Sequence, residues 1–310
     1  MIDIEPFNQT KLFGLENIIN QLIMLDKKKN LPNKILLSGQ KGLGKSTLAY
    51  HFINYVLSKD EEFIYDVDNF QISTENRSFK TVLNKTNINF KLIDVNSDKK
   101  YIDINQIRNL ILDLTKSSFN KKPNFVLIDN IEFLNINSIN ALLKILEEPS
   151  DNIHFILINN NKKILPTLIS RCINFKVHLS NNDSLNVANR LLEGRLHEKI
   201  NQELINYYST PGNLFNIVKF GNLNKYDLSN INLKEFLKIL INNHHYKKDS
   251  IIKYLIFDFV EFYLRKINFS VNSDTYKKYS YFLQRISNTK KFNLDDESLF
   301  MEFNEIILNG

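Results

Sequence analysis

The sequence predicts an α/β fold, in which a central parallel sheet with helices on both faces is followed by a small helical domain and a C-terminal helical domain. Short apolar segments alternate with amphipathic helical segments as far as Leu179, which is the pattern of a parallel sheet. A glycine-rich turn joins the first strand to the next helix. After Leu179 the strand pattern stops, and apolar residues recur at helical spacing.

The predicted elements of the first domain follow in regular order. We predict helices at 14–29, 46–57, 104–118 and 138–148, and strands at 34–38, 90–95, 125–129, 153–158 and 173–179. The strand at 125–129 is almost entirely apolar, as central parallel strands are. Residues 60–89 are polar and give no clear pattern. We place domain boundaries so that the three domains span 1–180, 181–228 and 229–310.

Composition limits the function classes. The chain has 310 residues, of which 43% are hydrophobic and 24% charged, so it can form folded cores in more than one domain. Its net charge of +6 fits a nucleic acid or another polyanion as partner, or equally a surface on which lysine is the default residue. Cys172 is the one cysteine, which excludes an intrachain disulfide and a cysteine-rich zinc site. No signal segment or membrane-spanning run is evident, so we predict a soluble, cytoplasmic protein with no membrane partner.

Residues 39–47 read GQKGLGKST and match G-x-x-x-x-G-K-[ST] in full, between a strand and a helix. Glycines let the backbone wrap a phosphate, and the N–H groups of the loop and of the following helix face the anion. The lysine reaches the β- and γ-phosphates, and the following hydroxyl holds Mg²⁺. The motif therefore predicts ATP binding by Gly39, Gly42, Gly44, Lys45, Ser46 and Thr47.

The second half of the predicted site is Asp129, which ends an apolar strand and is the expected partner of Ser46 in holding Mg²⁺. Hydrolysis also needs a carboxylate that orients and deprotonates water. Many P-loop ATPases have glutamate directly after the strand-end aspartate, whereas this chain has Asn130. An amide cannot take the proton, and Glu132 lies two residues further on. We therefore predict ATP and Mg²⁺ binding with weak or no turnover.

Three further segments stand in order behind the loop. They are VLIDNIEFLN at 126–135, NALLKILEEP at 140–149 and LPTLISRC at 165–172. Together with DINQIR at 103–108, they resemble the bacterial clamp-loader ATPase family, whose members carry an AAA+ P-loop domain, a helical lid and a C-terminal helical collar. The resemblance covers essentially the whole chain.

The resemblance implies a role for Arg171. In this family the arginine of the Ser-Arg-Cys segment reaches across a subunit boundary to the neighbour's nucleotide, where a planar guanidinium can neutralise charge on the transferring phosphoryl group. The ordinary alternative for Arg171 is a surface salt bridge. Cys172 is better interpreted as a small buried residue than as a nucleophile. The implied partners are the gamma/tau and delta subunits, the sliding clamp, and primed DNA through the assembly.

Departures from the family pattern separate its members. Asn130 replaces the catalytic glutamate, and Phe215 stands where catalytic members have the sensor-2 arginine. The sensor-1 position is Asn159 or Asn160. The four-cysteine zinc module of many relatives is missing, so we expect no zinc. An intact loop, altered catalytic positions and an intact Ser-Arg-Cys segment favour the delta prime type, which supplies an arginine finger.

Other functions remain as alternatives. A catalytically active gamma/tau-like ATPase is supported by the complete loop, and opposed by Asn130 and Phe215. A P-loop kinase of small molecules leaves the segments at 140–149 and 165–172 unexplained. A basic DNA-binding module without nucleotide leaves the loop itself unexplained.

Overall fold

A computed structural model describes residues 4–96, 99–114, 120, 122–147, 152–267, 273–292 and 294–309. The chain divides into two compact units, Met1–Ser184 and Leu185–Gly310. The boundary lies close to the end of the predicted first domain at residue 180. The further division at 228/229 stays a prediction.

The first unit is built on a five-stranded sheet in which every pairing is parallel. Its strands are β1 (Lys34–Ser38), β2 (Phe90–Ile93), β3 (Asn124–Ile128), β4 (Ile153–Asn159) and β5 (Ile173–Lys176). The order across the sheet is β2-β3-β4-β1-β5, so β1 lies between β4 and β5, the last two strands of the chain to form part of this sheet. The predicted α/β fold with a central parallel sheet is confirmed.

Helices cover both faces of this sheet. They are α1 (Glu16–Lys27), α2 (Lys45–Leu57), α3 (Arg77–Leu83), α4 (Ile104–Leu114), α5 (Ile136–Glu147) and α6 (Pro166–Ile169), and α7 (Asn181–Leu191) runs across the boundary between the units. Successive strand residues face opposite sides. Leu37 therefore packs in the cluster of α1 and α2, while Leu36 packs in the cluster of α4 and α5. The predicted ends of two helices, 115–118 and Glu148 with Pro149, lie outside the described residues.

Residues 60–89, which gave no sequence pattern, fold against α2. Tyr65 is almost fully buried, and its hydroxyl lies 3.0 Å from Nδ1 of His51. The side chain of Asn76 caps α3 by accepting a hydrogen bond from the N–H of Phe79 (2.7 Å). Asn54 of α2 donates to the same Asn76 oxygen (2.9 Å). Buried polar pairs therefore fix a segment that lacks an apolar repeat, which explains why periodicity did not predict α3.

The second unit is helical. Beyond α7 it contains α8 (Leu196–Lys199), α9 (Pro211–Asn224), α10 (Leu233–Asn242), α11 (His245–Lys248), α12 (Ser250–Ile267), α13 (Ser273–Phe292) and α14 (Asp296–Phe303), followed by a π-helical turn at Asn304–Leu308. One hydrophobic cluster runs from Ala188 to Leu308 and includes residues on both sides of the predicted boundary at 228/229. Among the helices that the structure describes, none combines the length and the apolar character that a membrane span needs.

The start of the glycine-rich loop is fixed by a close backbone approach. A Cβ built on Gly39 would lie 2.2 Å from the carbonyl oxygen of Val177, just after β5. The approach follows from the pairing of β1 with β5, since the N–H of Val177 donates to the carbonyl of Ser38 (2.7 Å). Only glycine fits there without moving the backbone.

We expect Gly39→Ala to lower the free energy of unfolding by about 1–3 kcal/mol, because a backbone oxygen cannot turn aside as a side chain can. Gly194→Ala is the matched control, since its Cβ would meet the flexible end of Lys199 at 3.2 Å. Urea denaturation of the two variants measures the difference. Equal midpoints would show that the contact with Val177 is not restrictive.

The buried His51 gives a second expectation. Burial lowers the pKa of its imidazole to about 4, against an ordinary value near 6.5. The unfolded chain therefore binds more protons than the folded chain between these pH values, and stability falls as the pH drops from about 6.5 to 4. The loss amounts to about 3 kcal/mol at most. In His51→Gln, unfolding free energy should depend less steeply on pH in this window, whereas the exposed His178→Gln should retain the full slope. Identical slopes in the two variants would contradict this account.

Candidate functional site

The candidate site lies where β1, β3 and β4 end, at the carboxyl edge of the sheet. Ligands of open α/β sheets bind at this edge, outside the ends of the strands. The glycine-rich loop leaves β1 and enters α2 through Gly42 and Gly44, which have φ of +87° and +83°. Residues other than glycine rarely adopt this left-handed backbone. The loop therefore reaches the first turn of α2 in a conformation that the two glycines allow.

Lys45 is the first residue of α2 and is only 3% exposed. Its Nζ donates hydrogen bonds to the carbonyls of Gly39 (2.8 Å) and Gln40 (2.6 Å), so the lysine lies along the inside of the loop. Burial lowers the pKa of Lys45 to about 8, although the nearby carboxylates of Asp129 and Glu132 act in the opposite direction. At neutral pH the ammonium group is therefore held inside the loop, and its carboxylate neighbours offset only part of the free-energy cost of burying its charge.

Ser46 and Asp129 meet although they are far apart in the chain. The hydroxyl of Ser46 donates to Oδ2 of Asp129 at 2.6 Å. Asp129 follows β3 directly, and its N–H donates to the carbonyl of Ile93 at the end of β2 (2.9 Å). Burial raises the pKa of the Asp129 carboxyl, which the hydrogen bond from Ser46 partly opposes. A hydroxyl and a carboxylate side by side are the hard oxygen ligands that suit Mg²⁺ bound together with a nucleotide phosphate. Thr47 follows in the same turn of α2 and is half-buried.

Asn130 has both ends of its side-chain amide engaged. Its Nδ2 donates to Oδ1 of Asp94 (2.8 Å), and its Oδ1 accepts from Nδ2 of Asn160 (2.7 Å). Its backbone is left-handed, with φ of +54°. Asparagine tolerates this conformation better than most residues. Asn130 is therefore fixed in place by two neighbours instead of projecting an unpaired amide into the site.

Asn160 also binds the carboxylate of Glu132. Its Nδ2 donates to Oε1 (3.0 Å), and its N–H lies 3.3 Å from Oε2. Asn159, by contrast, is buried and donates its amide to the carbonyl of Lys162 (2.9 Å). Of the two residues predicted for the sensor-1 position, Asn160 is the one joined to Asn130. The prediction for the role itself stays untested.

Sequence reasoning missed Asp94. It follows β2, and its backbone carbonyl accepts from the side chain of Gln106 (2.8 Å). Its negative charge also contributes to the raised pKa of Asp129. The predicted strand at 90–95 included Asp94, whereas β2 ends at Ile93 and leaves the carboxylate just beyond the strand, at the edge where the parallel strands end.

Arg171 lies outside this group of residues, just after α6. Its Nη2 donates to Oε1 of Glu147 at 2.6 Å, and its Nη1 donates to the carbonyl of Thr167 at 2.8 Å. The side chain is 31% exposed. The neighbouring Cys172 packs partly buried beside the α4–α5 cluster, and burial raises the pKa of its thiol to about 11. A thiol with a raised pKa is a poor nucleophile, in line with the prediction of a packing role.

Phe215 belongs to the second unit, where it lies near the start of α9. It is 4% exposed, and Thr210 caps the helix by accepting from the N–H of Asn213 (3.3 Å). The position that the family pattern gives to the sensor-2 arginine thus holds a buried aromatic side chain.

Comparisons with known proteins agree with the motifs. The DNA polymerase III subunit delta' of Buchnera aphidicola subsp. Schizaphis graminum is 25% identical over 290 residues, covering 86% of this chain and 83% of the relative. The subunit delta' of Pseudomonas aeruginosa is 29% identical over 139 residues, but the match covers only 44% of this chain and 40% of that relative. The subunit tau/gamma of Haemophilus influenzae is 29% identical over 196 residues, covering 63% of this chain and 27% of the relative.

Among solved structures, a DNA polymerase III gamma subunit-related protein from Thermotoga maritima aligns with 92% of this chain and 98% of its own, at 17% identity and a TM-score of 0.45. The family model described as DNA polymerase III, delta subunit, matches residues 14–181, which is more than half of the chain. The resemblance predicted from the three motifs is therefore confirmed, and the chain belongs to the DNA polymerase III delta subunit family.

Proposed function

We propose that the chain is a clamp-loader subunit of the delta prime type, which helps to load the sliding clamp onto primed DNA. It binds ATP and Mg²⁺ at the loop of residues 39–47 with weak or no turnover. It supplies Arg171 as an arginine finger to a neighbouring ATPase subunit. Its partners are the gamma/tau and delta subunits, and through them the clamp and the primed DNA. It works in the cytoplasm without zinc.

Nucleotide binding is supported by the arrangement of the loop. Lys45 lies within reach of the loop carbonyls, so its ammonium can exchange these partners for phosphate oxygens. Ser46 and Asp129 present adjacent oxygens to a cation. Mg²⁺ bound there supplies charge neutralisation for the phosphates. The fold holds Ser46 and Asp129 in position before the cation binds, since their side chains already contact each other.

Weak turnover rests on one observation, the fixed amide of Asn130. A residue that positions and deprotonates water needs a free basic atom directed at the phosphate. The Asn130 amide is not basic, its Nδ2 donates to Asp94, and its oxygen accepts from Asn160. The two oxygens of Glu132 accept hydrogen bonds from Asn160. The carboxylates of Asp94 and Glu132 thus already accept hydrogen bonds from Asn130 and Asn160, and neither is positioned by these contacts to deprotonate a water molecule.

A finger role for Arg171 is supported by its exposure and its charge. Arginine stays protonated at all accessible pH values, and its planar group suits phosphate oxygens. The alternative is a gamma/tau-like ATPase that hydrolyses ATP itself. The complete loop and the similarity to gamma/tau sequences favour that alternative, whereas Asn130 and the buried Phe215 favour the delta prime type.

ATP turnover by the chain alone, and by the complex assembled with gamma/tau and delta subunits, tests the proposal. We expect the isolated chain to be inert. In the complex, Arg171→Ala should lower kcat by about 10³-fold at the site it completes, as loss of an arginine finger does elsewhere. Lys45→Ala should change turnover of the complex far less, because the loop of this chain does not carry the hydrolysis.

The opposite pattern supports the alternative. Turnover by the isolated chain that Lys45→Ala abolishes would identify a motor ATPase and rule out the interpretation of Asn130. If the complex forms normally and its ATP turnover is unchanged by Arg171→Ala, Arg171 is not an arginine finger. Gel filtration of each variant with its partners separates loss of turnover from loss of assembly.

The pKa of Lys45 gives an independent test of nucleotide binding. A pKa of about 8 means that most of the ammonium is protonated at pH 7 and most is neutral at pH 9. Phosphates bind the protonated form, so affinity for ATP should fall up to about tenfold over this range. Fluorescence titration with a labelled ATP analogue measures the change. Lys45→Ala is the control, since it retains only the pH dependence of the nucleotide and of other groups. Parallel pH profiles for the two proteins would contradict a phosphate contact through Lys45.

A further inference from the structure

The contact between Arg171 and Glu147 joins two motifs that the sequence presents separately. Glu147 is the last described residue of α5, in the segment at 140–149, and Arg171 belongs to the segment at 165–172. Their side chains meet at 2.6 Å across 24 residues of chain. The contact needs an explanation, because neither residue lies in the group formed by Ser46, Asp129 and Asn130.

Stability does not explain the contact. Glu147 is 55% exposed and Arg171 is 31% exposed, and exposed ion pairs contribute little to folding. Glu147 also stands in the last turn of α5, where the negative end of the helix dipole disfavours a carboxylate. The acidic residue is therefore placed where its own helix gains nothing from it.

Geometry gives the contact a different role. A guanidinium has five N–H donors arranged in a plane. Glu147 takes one donor on Nη2, and the carbonyl of Thr167 takes one on Nη1. Two anchors on different nitrogens fix the plane of the group as well as its position. The remaining donors, including that of Nε, are then presented by an oriented fork instead of by a flexible side chain.

We propose that Glu147 is the positioning residue of the arginine finger, whose guanidinium it holds in a fixed orientation before the neighbouring subunit's nucleotide arrives. This inference rests on the proposed function. Arginine otherwise loses considerable rotamer freedom when it binds, and ordering it beforehand reduces that cost at the neighbour's site. Glu147 acts through Arg171 and does not itself touch phosphate, whose charge would repel it.

The test is ATP turnover by the complex assembled with gamma/tau and delta subunits. Glu147→Ala should lower kcat about two- to tenfold, the effect of ordering one long side chain, with little change in KM. Glu147→Gln retains the oxygen that accepts from Nη2 and should stay within about twofold of the wild type. Glu75→Ala is the matched control. It removes an exposed pair of the same length, Lys80 with Glu75 at 2.6 Å, and should leave kcat unchanged.

The double variant Glu147→Ala/Arg171→Ala decides whether Glu147 works through the arginine. We expect it to match Arg171→Ala alone, because a positioning residue has no effect once its target is gone. Additive losses would overturn the inference, and so would a rise in kcat for Glu147→Ala, which would mean that the contact restrains the arginine. If Arg171→Ala itself has no effect, the proposed finger fails. If Arg171→Ala has its effect and Glu147→Ala has none, only the positioning role fails.

Discussion

The hydrogen bond between Ser46 and Asp129 is the interaction on which the candidate site depends. It joins residues 83 positions apart in the chain, and it exists because β1 and β3 both pair in parallel with β4 and end at the same edge. A shift of either strand by one residue would turn its side chains to the opposite face. The apolar alternation that packs Leu36 and Leu37 into different clusters therefore also fixes the position of the site.

The residues around this bond separate nucleotide binding from hydrolysis in physical terms. Binding requires N–H groups, an ammonium and oxygen ligands, all of which the loop and Asp129 provide. Hydrolysis requires a basic atom that is left available, and here Asp94, Asn130, Asn160 and Glu132 bind one another. All four side chains are partly buried, and their mutual hydrogen bonds stabilise this arrangement. The proposal of weak turnover follows from the same hydrogen bonds, since they hold these groups in fixed positions.

The sequence predicted the parallel sheet well because buried parallel strands are apolar along their whole length, and the segment at 125–129 shows this pattern plainly. The glycine-rich loop could be located from the sequence because its glycines are needed for local steric reasons: Gly42 and Gly44 have positive φ, and Gly39 lies against a backbone carbonyl. Asp94 and α3 were missed for different reasons. The strand predicted at 90–95 ran past the true end of β2 at Ile93 and so included Asp94. The position of α3 depends on hydrogen bonds between distant residues, such as Asn54 and Asn76, and such pairs have no periodicity to detect.

The segment at 140–149 contains both residues that are explained by packing and a residue, Glu147, that is not. The apolar positions of α5, such as Leu142 and Leu146, are fixed by burial in the core and would be expected in any helix packed on this sheet. Glu147 cannot be explained in that way, because it is exposed and unfavourably placed against the helix dipole. Glu147 contacts the partly exposed Arg171 at 2.6 Å, and the proposed positioning of that arginine accounts for the contact. The contact across 24 residues is made possible by the fold, because β4 and α6 follow α5 and bring Arg171 beside the end of that helix.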